Sequence, residues 1–401
     1  MTFRFLSLVF LIGCLLSCGS RHEEKEINND METEILNEDF ESELLSMADS
    51  IVRQMTLEER VGQLYMPAVD SSADPFTIRL IKKYISDLHV GGVVLLKGDL
   101  ASASKIAALC REAQVPLFVA IDAEWGLGMR LKDAPEFPKN GTMGNNVDEV
   151  FMFDYGREIG RECKLLGINM ILGPVVDVVE KSGGIIGKRS FGNDPERVEE
   201  LSTAYALGIE SEGLISVAKH FPGHGSPSGD SHKVLPVIER DYEKLDSIDL
   251  PPFRGYVAAG LSGIMVGHLA VPAVDSTAVP AAVSKNIIDG LLKKDIGFKG
   301  LILTDALNMG GASGFSGADA LLAGADIVLA PENLQEEIQA TMKMVREGKL
   351  PLEDIDDKCR KIIFYKLFTV YGAENMVNID RLKEDIIKGA EEISKRLSDK
   401  T

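Results

Sequence analysis

One tryptophan, Trp125, stands among 401 residues, and aromatic side chains make up only 6% of the chain. Cysteine is nearly as scarce, at five. Two of the five fall within the first 18 residues. The others, Cys110, Cys163 and Cys359, are too widely spaced for a disulfide framework, and no C-x-x-C pair suggests zinc. Their apolar neighbours point to buried free thiols. Positive charge is outnumbered, with 43 Lys and Arg against 62 Asp and Glu, a formal charge of −19 and no basic cluster. Phosphate backbones would be repelled, so nucleic acid is not an expected partner. The first internal apolar run leads into Pro67-Ala68-Val69-Asp70 and not into G-x-G-x-x-G, so the signature of a dinucleotide-binding sheet is missing. No cofactor and no metal are expected.

The long apolar run that does occur lies at the start, from Phe5 to Leu16, behind a single positive charge at Arg4. It is too short to span a bilayer and reads as a signal peptide over residues 1–17. Leu15-Leu16-Ser17-Cys18 resembles a bacterial lipobox, which makes Cys18 the expected lipidated residue; Leu11-Ile12-Gly13-Cys14 is a second fit with a shorter apolar region. Residues 19–45 carry ten acids against two bases. Residues 18–45 therefore read as a solvated tether. The expectation is a monomer in the bacterial cell envelope, lipid-anchored at the periplasmic or outer-membrane face, touching the membrane through its anchor only.

From about residue 46 to 372, short apolar runs alternate with amphipathic helical stretches. Strands are expected at 61–69, 90–96, 116–122, 168–177, 215–220, 261–268, 300–305 and 325–330. Most are continuous runs such as Val90-Gly91-Gly92-Val93-Val94-Leu95-Leu96, which suit parallel strands buried on both faces. Helices are expected at 74–88, 148–166, 195–212, 241–259, 284–295 and 333–347. Eight strand–helix repeats imply an α/β fold, a single-domain (β/α)8 TIM barrel. Leu382, Ile386, Ala390, Ile393 and Leu397 share one face of a closing helix within 373–401.

Such a barrel carries its active site at the C-terminal ends of the strands. Asp122, Asp177, Lys219 with His220, His268 and Asp305 end five successive expected strands. Charge at the end of a buried strand is costly unless it faces a polar site. Three of six histidines lie within His220–His232, a stretch with two prolines and three glycines. Pro222-Gly223 rules out a helical metal pair from His220 and His224. Asp230, two residues before His232, would fix the tautomer of His232 and favour its cation, as a proton donor near neutral pH requires.

These motifs resemble glycoside hydrolase family 3, in its β-N-acetylglucosaminidase branch. The resemblance runs from Met55-Thr56-Leu57-Glu58-Glu59-Arg60 to about residue 370. It is carried by Ile121-Asp122-Ala123-Glu124-Trp125-Gly126, Gly187-Lys188-Arg189-Ser190-Phe191-Gly192, the loop Lys219–His232 and Leu303-Thr304-Asp305-Ala306-Leu307-Asn308-Met309. It implies a retaining exo-β-N-acetylglucosaminidase (β-N-acetylhexosaminidase) acting on peptidoglycan fragments or chitin and glycan oligosaccharides. Asp305 would be the nucleophile, and His232, held by Asp230, the general acid/base. Asp122, Arg130, Arg189, Lys219 and His220 would bind the sugar, with His268 and Met309 lining the pocket. One departure is Glu124-Trp125-Gly126-Leu127, where the branch commonly has Glu-Gly-Gly-Arg; Trp125 there could stack on a sugar or pack at the mouth. Competing readings are a β-glucosidase of the same family, a metal-dependent barrel hydrolase and a degenerate sugar-binding lipoprotein.

Overall fold

The computed structural model describes residues 40–144, 146–179, 186–225, 235–312, 314–371 and 379–398. Seven parallel strands form one curled sheet in sequence order: β2 (Ala68–Ser71), β3 (Gly92–Gly98), β4 (Phe118–Ile121), β5 (Met170–Ile171), β6 (Ile215–Phe221), β7 (Gly263–Val266) and β8 (Leu301–Thr304). β1 (Tyr65–Met66) pairs in parallel with β9 (Val328–Leu329) as a separate two-stranded sheet. Leu303 bridges to Ile327 just before β9, and Val94 N–H donates to the Pro67 carbonyl between β1 and β2. The order obtained is that of a curled seven-stranded parallel α/β sheet beside a two-stranded pair, and not a single eight-stranded sheet; β1 and β2 are separated by Pro67, which has no N–H to give a ladder.

The strand expected at 61–69 is corrected at its start. Residues 57–63 form a helix, Leu57–Gln63, because Thr56 and Glu59 make a reciprocal capping box that satisfies its first amides. Val61 and Gly62 are buried in that helix, so a short apolar run could not distinguish buried helix from buried strand. The expected helix at 241–259 is likewise broken, into Tyr242–Lys244, a wide turn over Leu245–Asp249, and Pro251–Ala258. Helix also runs over 40–54, with Leu44 and Ala48 buried, so packed structure begins inside the stretch read as tether.

Other helices follow the sequence pattern closely. Asp148 caps Glu149–Leu166, which ends on Gly167 in the left-handed region, and Asp194 with Pro195 starts Pro195–Glu210. These two helices pack side by side, with the Tyr155 and Tyr205 rings tilted at 42° to one another between them. Helix Ile379–Ser398 buries Ile386, Ala390, Ile393 and Leu397. Cys110, Cys163 and Cys359 are buried free thiols. Among the described residues no helix is long and apolar enough to cross a membrane.

The N-terminal ends of the strands are tied by buried polar groups. Glu210 accepts from Ser216 N–H and hydroxyl at the start of β6, and from Ser262 N–H and hydroxyl before β7. Asp326 accepts from Ile302 N–H at 2.9 Å and from Lys361 at 2.9 Å.

Candidate active site

At the opposite ends of the strands a cavity of about 470 Å³ opens. Asp122 follows β4, Lys219 and His220 lie in β6, and Asp305 follows β8; all four line the cavity. Their common level is a product of register. β4 pairs with β5 through Ile121 and Ile171, while Lys219 N–H donates to Pro174 O and Val176 N–H to Lys219 O beyond β5. Asp305 N–H donates to Val266 O, which continues the β7–β8 ladder one residue further.

Lys219 is the hub of an ion-pair network. Its ammonium lies 2.7 Å from Asp122 Oδ1 and 2.8 Å from Glu124 Oε1. Arg189 holds Glu124 in a fork, Nε to Oε2 at 2.9 Å and Nη2 to Oε1 at 2.7 Å, and Arg130 donates to Asp122 Oδ2. Burial alone would raise the carboxyl pKa values and lower that of Lys219. The opposite charges outweigh burial: Glu124 is brought down to about 2 by Lys219 and Arg189, Asp122 is also lowered, and Lys219 is raised. All three are therefore ionised at neutral pH. Two of the three Lys219 protons face carboxylates, which leaves one for a ligand.

Asp177, at the end of the strand segment after β5, organises two histidines. Its Oδ2 lies 2.8 Å from His220 Nδ1, and its Oδ1 accepts from His220 N–H and from His224 N–H. His220 Nδ1 thus carries the proton, and Nε2 is left as an acceptor or second proton site. Nearby, Gly225 must be glycine, since a Cβ there would lie 1.7 Å from Val178 O.

Asp305 has one carboxylate oxygen, Oδ1, anchored by Ala306 N–H at 2.8 Å. Burial pushes its pKa up, but the fields of His220 and His268 and the Ala306 amide hold it below the ordinary value. It is a carboxylate, poised against a wall of hydrogen-bond donors. His268 donates from Nε2 to Ala306 O at 3.2 Å, and burial, opposed by Asp305, lowers its pKa. It supports the Asp305 turn from behind.

Of the residues singled out in the sequence, Asp122, Arg130, Arg189, Lys219, His220, Asp305 and Met309 all line this one cavity. His268 and Trp125 are not among its lining residues; the Trp125 ring packs on the core with Lys139 Nζ 4.8 Å from its centroid. Asp230 and His232 lie outside the described residues. Glu124, Asp177, His224 and Asn308 were not among the expected site residues. Glu124 and Asp177 act through buried ion pairs and hydrogen bonds, while His224 and Asn308 line the cavity. Asp177 was visible as a strand-end acid, but its partners came only with the fold. Among the described residues no group of three His, Cys, Asp or Glu side chains is placed to hold a metal ion.

A cavity with fixed donors, two ion-paired carboxylates and the amide-anchored Asp305 suits carbohydrate chemistry, and the known proteins that resemble this chain point the same way. The profile of the glycosyl hydrolase family 3 N terminal domain matches residues 56–364. A beta-hexosaminidase of Neisseria meningitidis serogroup C is 35% identical over 62% of this chain and 73% of its own length. The solved glycoside hydrolase family 3 beta-N-acetylglucosaminidase from a Paenibacillus species superposes with a TM-score of 0.76 and 32% identity, covering 85% of this chain and 68% of that one. The M tuberculosis protein LpqI gives 0.71 and 30%, covering 79% and 95%. With the profile spanning every residue of the cavity wall, the chain belongs to glycosyl hydrolase family 3 and is a glycoside hydrolase.

Proposed function

We propose that this chain is a retaining exo-β-N-acetylglucosaminidase. One observation carries the reading: Asp305 is an ionised, anchored carboxylate facing a cavity walled by the Asp122–Lys219–Glu124–Arg189 network. The identities to proteins named for this activity support the substrate class. Asp305 attacks the anomeric carbon from one side while a donor protonates the departing glycosidic oxygen from the other. The donor is His232, oriented by Asp230, a role that rests on the sequence motif. In the second step His232 takes a proton from water, which attacks the same carbon and releases Asp305 with net retention.

The free Lys219 proton, the Arg130 guanidinium, Asp122 and His220 Nε2 bind the sugar. Arg189 acts chiefly through Glu124, since its Nε and Nη2 are already engaged. We read the two sheets as one (β/α)8 barrel, closed through the Leu303–Ile327 bridge and the β1–β9 pair. The natural substrates are terminal N-acetylglucosaminides of peptidoglycan fragments, met in the cell envelope by a monomer tethered through Cys18.

The test is turnover of an aryl N-acetyl-β-glucosaminide followed by proton NMR, with the β anomer of the sugar expected first. First appearance of the α anomer would overturn the double displacement. Preference for an aryl β-glucoside would make the chain a β-glucosidase, and no turnover of either would leave sugar binding as its activity. Metabolic labelling with palmitate should tag the wild type and not Cys18→Ala; equal labelling moves the anchor elsewhere.

A further inference from the structure

A second, larger cavity of about 810 Å³ lies beneath the N-terminal ends of β8 and β9, at the far end of the sheet from Asp305. Its walls come from helix 286–295, the segment before β8, the end of helix Gly317–Ala323, and helix Leu352–Tyr371. The floor is apolar: Phe298, Leu321 and Phe364 are buried there. In a chain with a formal charge of −19, this cavity is lined by seven basic side chains against five acidic ones.

Most of those charges are already matched. Asp289 faces Lys285 and Lys293, Asp326 takes Lys361, and Asp357 takes Arg360. The exposed Lys299 aside, Lys358 is the exception among the cations. It is 7% exposed, lines the cavity, and among the described residues makes no hydrogen bond and no ion pair. Burial holds its pKa down to about 8; Asp326 and Asp354 attract it at longer range, and Lys293 and Lys361 repel it. Its stem is buried while its ammonium opens into the cavity, where an anion would supply a partner in a partly desolvated place. The volume falls in the range of pockets that enclose a small organic molecule, roughly 300–1,000 Å³.

We propose that this cavity is a binding site for a small amphipathic organic anion, with its charged head on Lys358 and its apolar body on Phe298, Leu321 and Phe364. A short-chain fatty carboxylate has this chemistry. The head gains a charge-assisted hydrogen bond, and the chain covers apolar wall otherwise wetted. The site is separate from the catalytic cavity and shares no lining residue with it.

The test is calorimetric titration of the full chain with decanoate, decyltrimethylammonium and acetate. Saturable binding of one decanoate is expected, with none for the other two. Lys358→Met should weaken decanoate at least about tenfold while leaving hydrolysis of the aryl N-acetyl-β-glucosaminide unchanged. No decanoate binding, equal binding of the cationic detergent, or equal affinity in Lys358→Met would each overturn the proposal. Should Lys358→Met fail to fold, acetylation of the wild type with acetic anhydride reads the same contact. Decanoate should then slow modification of Lys358 relative to Lys105, which is exposed and lies outside the cavity, and equal rates with and without decanoate would refute the site.

Discussion

At the C-terminal ends of the strands, Lys219 sits between Asp122 and Glu124, and all three stay charged although they are buried. At the N-terminal ends, the half-buried Glu210 is enclosed by serine hydroxyls and amides with no cation in contact among the described residues, and desolvation raises its pKa to about 7. Lys358 and Lys366 at that same end are pushed down, to about 8 and about 7. The same residue types under similar burial thus reach opposite states. What differs is the partner: a full opposite charge at hydrogen-bond distance outweighs desolvation, and a neutral dipole does not. The mouth is built to keep charge, as catalysis on a polar substrate needs. The base is built to hold strands together: Asp326, paired with Lys361, keeps its charge there, and the groups without such a partner are shifted toward neutrality.

The largest effect should come from removing Asp305, which no cation contacts directly among the described residues. Asp305→Asn keeps the Ala306 hydrogen bond but loses the nucleophile, and kcat should fall on the order of 10⁴-fold or more. Activity within tenfold of wild type would take Asp305 out of the reaction.

Next, the two ends should respond differently to loss of a lysine. Lys219→Met leaves Asp122 and Glu124 with one arginine each and should cost about 1–3 kcal/mol in stability, together with at least 100-fold in kcat/KM, roughly the effect of losing one well-placed donor. Lys361→Met leaves Asp326 with its Ile302 amide and should lower the free energy of unfolding by about 1–3 kcal/mol with kcat/KM unchanged. Parallel losses of activity in both variants would break the distinction between the ends.

The smallest effect separates the ends by pH. Glu210 has its folded pKa raised from 4.5 to about 7. Its contribution to stability is therefore fully present below about pH 4.5 and is lost as pH rises through about 7. Between pH 5 and 8 the wild type should lose about 2–3 kcal/mol relative to Glu210→Gln, as measured by urea denaturation. Identical pH profiles would mean that Glu210 stays ionised, as the mouth carboxylates do.

Much of this was legible beforehand, and unevenly. Asp122, Lys219, His220 and Asp305 were readable because each stands at the end of a continuous apolar run, where only a functional site tolerates charge. The start of the first strand was not, since Val61 and Gly62 are as buried in a helix as they would be in a sheet. Glu124 was quoted within a motif, yet its role was hidden: its partners Lys219 and Arg189 are 95 and 65 residues away in sequence. Cavity membership also sorted the candidates, drawing in Arg130 and Met309 and leaving Trp125 and His268 behind the wall.

By itself, then, the sequence determined the alternation of strands and helices, the level at which charge appears and the reaction family, because periodicity, strand-end polarity and motif are local properties. Only the tertiary structure decided which of those charges remain charged. Ionisation of a buried group depends on the few ångströms around it, and those are filled by residues from distant parts of the chain. Asp305 beside Ala306 and His268, Lys219 between two carboxylates, and Lys358 with no partner among the described residues are all buried or half-buried ionisable groups; their different fates are set by what the fold brings within reach.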